Sequence, residues 1–127
     1  MRVALWVVQV LLAVLFAFHG YSFIVVPEGS AAMIENLGLD PTLQMTIGIA
    51  EWLAAAGLLL PGITRILPVL TPLAAAGLCL VMICAAVFHL MRGEAGMAIG
   101  NIVIMALAAA VAYGRWKIAP LRSRGAS

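Results

Sequence analysis

The sequence predicts an all-α integral membrane protein, a bundle of four transmembrane helices with a short interfacial helix between the first and second. Three observations predict it. The 127 residues are 65% hydrophobic and only 9% charged, where a soluble domain is about half apolar and about a quarter charged. The apolar residues fall in four runs of membrane-spanning length, separated by proline, glycine and charged residues. The charges themselves are sorted between alternate connections. A chain this short has no core large enough to bury such an excess, so the bilayer has to act as solvent. One membrane domain over 1–127 follows.

The first helix is predicted over 3–26. Its apolar stretch exceeds the roughly 7–15 residues of a signal-peptide core, and Phe16 to Gly20 offers a poor cleavage site. It is therefore read as a retained span. Residues 27–40 hold three of the five acidic residues. Within them Met33, Ile34 and Leu37 recur at helical spacing opposite Glu35 and Asn36, which predicts an interfacial helix. Asp40 followed by Pro41 is an N-cap signal for the second span, predicted over 42–60 and stopped at Pro61-Gly62. Thr71-Pro72 repeats that signal for the third span, over 72–91, closed by Arg92-Gly93. The fourth runs over 95–113, and 114–127 is read as a basic cytoplasmic tail.

Four spans put both ends of the chain on one side. Six of the seven basic residues share that side: Arg2, Arg65, Arg115, Lys117, Arg122 and Arg124. Arg92 lies opposite with Glu28, Glu35, Asp40 and Glu94. The positive-inside rule then predicts cytoplasmic termini. The basic tail reads as a topology signal with affinity for anionic lipid, and no nucleic-acid partner is expected.

Small residues predict close helix contacts. Ala106, Ala110 and Gly114 recur every fourth position, and 54–57 and 74–77 are each three alanines and a glycine. A compact bundle accounts for them, and they leave open a homo-oligomer or a larger membrane complex. Cys79 and Cys84 lie five residues apart on one helix and so point to different faces, which excludes a disulfide between them. Both are read as small buried apolar residues.

Candidate chemistry centres on Glu51, which interrupts the apolar run 45–60. It lies roughly 13 Å from the outer end of its helix at 1.5 Å per residue. A carboxylate at bilayer depth costs about 2.5–3.5 kcal/mol on insertion scales, so it must be protonated, or paired with a histidine or Arg92. His19, His89 and Asn101 fall in the same outer half on the other three helices. Together with Trp52 and Arg92 they define a predicted polar pocket opening outward. The bland alternatives are a structural hydrogen bond for Glu51, interfacial placement for the histidines and packing for Trp52. His19 and His89 have the residue types for bis-histidine haem ligation, but two histidines on separate helices are too common to predict it. No metal is predicted. The chain has no C-x-x-C, G-x-S-x-G or glycine-rich phosphate loop, so soluble-type nucleophilic or nucleotide chemistry has no support.

These residues resemble the DoxX-like family of small bacterial membrane proteins. The likeness rests on Gly48-Ile49-Ala50-Glu51 with Gly57-Leu58-Leu59-Leu60-Pro61, on Thr71-Pro72 through Phe88-His89 to Arg92-Gly93-Glu94, and on Asn101. It covers Leu5 to Arg115. The resemblance implies a four-helix membrane bundle. Relatives include membrane subunits of a thiosulfate:quinone oxidoreductase, proteins of sulfur-handling and oxidative-stress complexes, and chaperones or cargo receptors in eukaryotic membranes. It carries over no catalytic residue. The expected function is binding of a small apolar ligand, a quinone or a lipid, or service as the membrane subunit of a redox complex. The alternative is a structural or assembly factor with no ligand chemistry.

Overall fold

Apolar side chains distributed all round each long helix leave no choice but to meet either lipid or one another. The computed structural model describes residues 2–121, the side chains of Ser30 and Met33 excepted. Met33 of the predicted interfacial face, and Arg122 and Arg124 of the tail, therefore lie outside what is described. The helices are α1 (Arg2–Val25), α2 (Glu28–Leu37), α3 (Pro41–Thr64), α4 (Leu70–Met91) and α5 (Ala95–Tyr113). A π-helical turn, Gly114–Ile118, prolongs α5. Four stretches are long and apolar enough to cross a membrane: α1, α3, α4 and the 24 residues Ala95–Ile118. The predicted fold class is observed, short helix α2 included.

The start of α1 and the end of α5 share one end of the bundle, here the terminal end, with the α3–α4 turn. α2 and the α4–α5 turn lie at the opposite, far end. α1 packs mainly on α3 and α4 on α5, and the α3–α4 contact joins the two pairs. Leu12, Phe16, Leu58, Leu78, Met82 and Val111 fill the centre, with Ala55, Ala75 and Ala108 between them. Gly57 lies under Ala74, so the two alanine-glycine stretches do meet. Ala106 and Ala110, by contrast, face outward.

Local signals explain most boundaries. Asp40 Oδ2 accepts from the backbone N–H groups of Thr42 and Leu43 at 3.0 and 3.4 Å, as its capping position requires. Gly93 sits at φ 74°, the left-handed conformation that ends α4. Three expectations need correction. α3 does not stop at Pro61 but runs on to Thr64. A proline inside a helix has no N–H for the carbonyl four residues back, here that of Gly57. The Thr71 hydroxyl donates to that carbonyl at 2.8 Å, and Gln9 Nε2 donates to the neighbouring carbonyl of Leu58 at 2.7 Å. Two side chains from other helices thus satisfy the backbone around the proline. Thr71 is consequently no N-cap. α4 begins two residues earlier than predicted, at Leu70, with Pro72 in a first turn that needs no N–H. The third correction concerns the cysteines. Cys79 is half-buried, its thiol donating to the Met105 carbonyl at 3.7 Å, whereas Cys84 is exposed on the outer surface.

Candidate functional site

Close backbone approach builds the site. A Cβ added to Gly20 of α1 would lie 2.8 Å from the Gly48 carbonyl oxygen of α3, and one on Gly48 would lie 2.8 Å from Ile24. Only two glycines let the helices come this near. One residue before Gly20 stands His19, and three after Gly48 stands Glu51. Their side chains meet: His19 Nδ1 and Glu51 Oε2 are 2.6 Å apart. Glu51 is buried at 1% exposure on the stripe formed with Gly48, Ala55 and Leu58. The imidazole is 43% exposed and stacks on Phe23 with ring centroids 4.6 Å apart. Trp52 closes the contact, its indole N–H donating to the Ala17 carbonyl at 2.8 Å. About half its surface stays exposed, so it straps α1 to α3 at the rim of the pair.

The pairing fixes what the imidazole does. With Glu51 ionised, Nδ1 must donate; with Glu51 protonated, Nδ1 accepts. The net-neutral forms of the pair, imidazolium with carboxylate or imidazole with carboxylic acid, both leave a hydrogen on Nε2. Low-dielectric surroundings favour those forms, because a lone buried charge is the costly alternative. Nε2–H then donates to whatever lies beside it, and no hydrogen bond to Nε2 comes from the described residues.

The remaining predicted residues form a second group. His89 Nδ1 lies 3.1 Å from Glu94 Oε1, and Arg92 Nε donates to the same oxygen at 2.9 Å. Arg92 also donates from Nη1 to the Leu37 carbonyl and from Nη2 to that of Asn36, each at 2.9 Å. Those carbonyls end α2, where unsatisfied acceptors and the helix dipole both favour a cation. Stacked on Phe88 at 5.2 Å, Arg92 has every nitrogen engaged, two of them clamping α2 and the third bound to Glu94. The Glu94 carboxyl is held below its ordinary value, first by the hydrogen bond with His89 and then by the charge of Arg92. Arg92 is therefore no partner for Glu51. Among the described residues no hydrogen bond or ion pair joins the two groups. Asn101 stands apart from both, its Nδ2 buried with no partner. Among the described residues no three His, Cys, Asp or Glu side chains cluster to hold a metal.

The matching family model is that of the DoxX-like family, over residues 7–111. The chain belongs to this family. Nothing among the curated proteins and nothing among the solved structures matches it. The family match spans the glycine contact, His19, Glu51 and the α2 clamp of this DoxX-like protein alike.

Sequence reasoning missed the polar contact at the terminal end. Arg115, expected in a solvated tail, is 3% exposed, and its Nε donates to Gln9 Oε1. A signal was present: Tyr113 to Ile118 continues α5 with no turn residue but Gly114, and Gln9 interrupts an apolar run as Glu51 does.

Proposed function

We propose that this DoxX-like protein sits in the bacterial inner membrane with both termini cytoplasmic and binds a small apolar molecule at the His19–Glu51 pair. The carrying observation is the pair itself: a buried carboxylate on α3 held 2.6 Å from an imidazole that is partly open to the surroundings. Such an Nε2–H suits a molecule with an apolar body and one carbonyl or hydroxyl oxygen, the chemistry of a quinone. A lipid ester carbonyl is the competing occupant. In a redox complex the protein would act as the membrane subunit that holds the quinone, while a partner supplies the electrons. The charge distribution supports the orientation, with Arg2, Arg65, Arg115 and Lys117 at the terminal end.

Native mass spectrometry of protein purified in mild detergent tests this. Wild type is expected to carry a stoichiometric quinone mass, reduced about tenfold or more in Glu51→Gln and His19→Ala, a loss of at least ~1.4 kcal/mol in affinity. A lipid mass with the same dependence replaces quinone by lipid. Equal occupancy in wild type and both variants rejects the site.

One observation favours a second reading, that of an assembly factor. Gly96 and Gly100, four residues apart on α5, have open space where a Cβ would stand, and Ala106 and Ala110 are exposed. Such a face suits a second helix. On this reading Gly100→Leu disperses a co-purifying complex that Glu51→Gln leaves intact.

A further inference from the structure

The terminal end holds a buried cation with no counter-ion among the described residues. Arg115 is 3% exposed. Its Nε donates to Gln9 Oε1 and its Nη1 to the Ala119 carbonyl at 2.9 Å, while the guanidinium lies 5.4 Å from the Trp6 ring centroid. All these partners are neutral. Nη2 is buried and has no hydrogen-bond partner among the described residues. The five acidic residues are Glu28, Glu35, Asp40, Glu51 and Glu94. Four belong to far-end segments and Glu51 is bound to His19, so none serves Arg115.

Burying a cation costs several kcal/mol unless an opposite charge and hydrogen bonds compensate it. Here two of the three guanidinium nitrogens have a partner, and the described residues supply no opposite charge. Beside the guanidinium lies a cavity of about 260 Å³, lined by Arg115 with Pro68, Val69, Pro72, Trp116 and Leu121. Its walls are apolar apart from Arg115, and it is open to the surroundings beside the start of α4 and the end of Ala95–Ile118. An occupant therefore needs an anionic oxygen for the guanidinium and an apolar part for the prolines and Trp116. A free inorganic anion has only the first; an anionic phospholipid has both.

We propose that Arg115 and this cavity form a binding site for the phosphate of an anionic membrane lipid. The phosphate accepts from the guanidinium, supplying both the missing charge and the missing acceptor, and the glycerol end of the acyl chains lies along the proline-lined wall. Basic pockets between helices hold anionic headgroups by the same physics. The site is separate from the His19–Glu51 pair and does not depend on it.

The test is lipid retention by native mass spectrometry after release from vesicles of equal phosphatidylglycerol and phosphatidylcholine. Wild type is expected to keep one phosphatidylglycerol in preference to phosphatidylcholine. Arg115→Gln should lower that retention about fivefold or more, the factor for one basic side chain at an anionic membrane surface. Because Arg115 also bonds Gln9 and Ala119, that variant could lose the fold, so Val69→Trp gives an independent measure. It fills the cavity from a half-exposed position and leaves the hydrogen bonds of Arg115 untouched, and the same loss is expected. Equal retention of the two lipids overturns the proposal, as does unchanged phosphatidylglycerol retention in folded Val69→Trp. Displacement of the lipid by millimolar inorganic phosphate would assign the site to a soluble anion and overturn it likewise.

Discussion

α1 meets polar groups of its neighbours at two levels, and the two contacts are built on opposite terms. At the far level His19 meets Glu51; ten residues earlier, Gln9 meets Arg115 and the Leu58 carbonyl. The far contact pairs an acid with a base, and the base is partly exposed. The terminal contact surrounds a permanent cation with neutral oxygens, and Gln9 is wholly buried. One pair is able to change its proton content and meet a ligand. The other is a fixed joint: the amide of Gln9 gives its N–H to one helix and its carbonyl oxygen to another. The far contact is thus a titratable site and the Gln9–Arg115 hydrogen bond a lock between helices, with only Nη2 of Arg115 left for the proposed lipid.

The sharpest way to break this division is to remove the lock. Gln9→Leu leaves Arg115 Nε without its acceptor and the Leu58 carbonyl without its donor. Breaking a buried charged contact costs about 3–5 kcal/mol, so a large drop in the midpoint of thermal or denaturant unfolding is expected in a fixed detergent. Glu51→Gln keeps a hydrogen-bonding side chain opposite His19, and its expected cost is one ordinary hydrogen bond, about 0.5–1.5 kcal/mol. If Glu51→Gln proves the more destabilising of the two, the assignment of site and lock is reversed.

A second substitution tests how the far contact is positioned. Gly20→Ala places a methyl group 2.6 Å from Trp52 Cδ1 and 2.8 Å from the Gly48 oxygen. The indole has room to turn, but the backbone oxygen does not, so the helices must part. Overpacking of this kind costs about 1–3 kcal/mol. The separation also lengthens the 2.6 Å contact between His19 and Glu51. Occupancy of the proposed ligand should fall with the stability of Gly20→Ala, while the lipid bound at Arg115 should not. Loss of both together would mean that the two levels are not independent.

The fold was legible because it is written in quantities that sequence carries directly: length of apolar runs, turn residues and charge sorting. The position of Glu51 on an inward stripe with Gly48 and Ala55 was legible for the same reason, since helical periodicity sets which residues share a face. Its partner was harder. His19, His89 and Arg92 were all at plausible depth, and only the glycine-to-glycine approach of α1 and α3 selects His19. The α2 clamp was hidden because it uses backbone carbonyls of Asn36 and Leu37, groups every residue has. Pro61 misled for a related reason. A helix passes through proline when other side chains satisfy the released carbonyls, and the donors, Thr71 and Gln9, stand on other helices. Arg115 was misplaced because a basic residue after the last span is ordinarily solvated, and nothing local reports that Gln9 waits for it.

The smallest expected effect concerns the third polar contact and refines the contrast between the ends. Glu94 has a carboxyl held below its ordinary value of 4.5, chiefly by the hydrogen bond with His89 and further by the charge of Arg92. A depressed folded-state value stabilises the folded form at pH above that ordinary value and loses this contribution as pH falls below it. Acidification below about pH 4.5 should therefore weaken the bond between Glu94 and Arg92, which is the group holding the last carbonyls of α2. Proteolysis of residues 26–41 in protein embedded in lipid discs, followed from pH 6 downward with an acid-active protease, should accelerate at the acidic end. Glu94→Gln should already show the faster cleavage at pH 6 and little further change on acidification. The Gln9–Arg115 joint contains no carboxylate, so cleavage around the π-helical turn should not follow the same acid dependence. An acid step of equal size in wild type and Glu94→Gln would remove Glu94 as its origin.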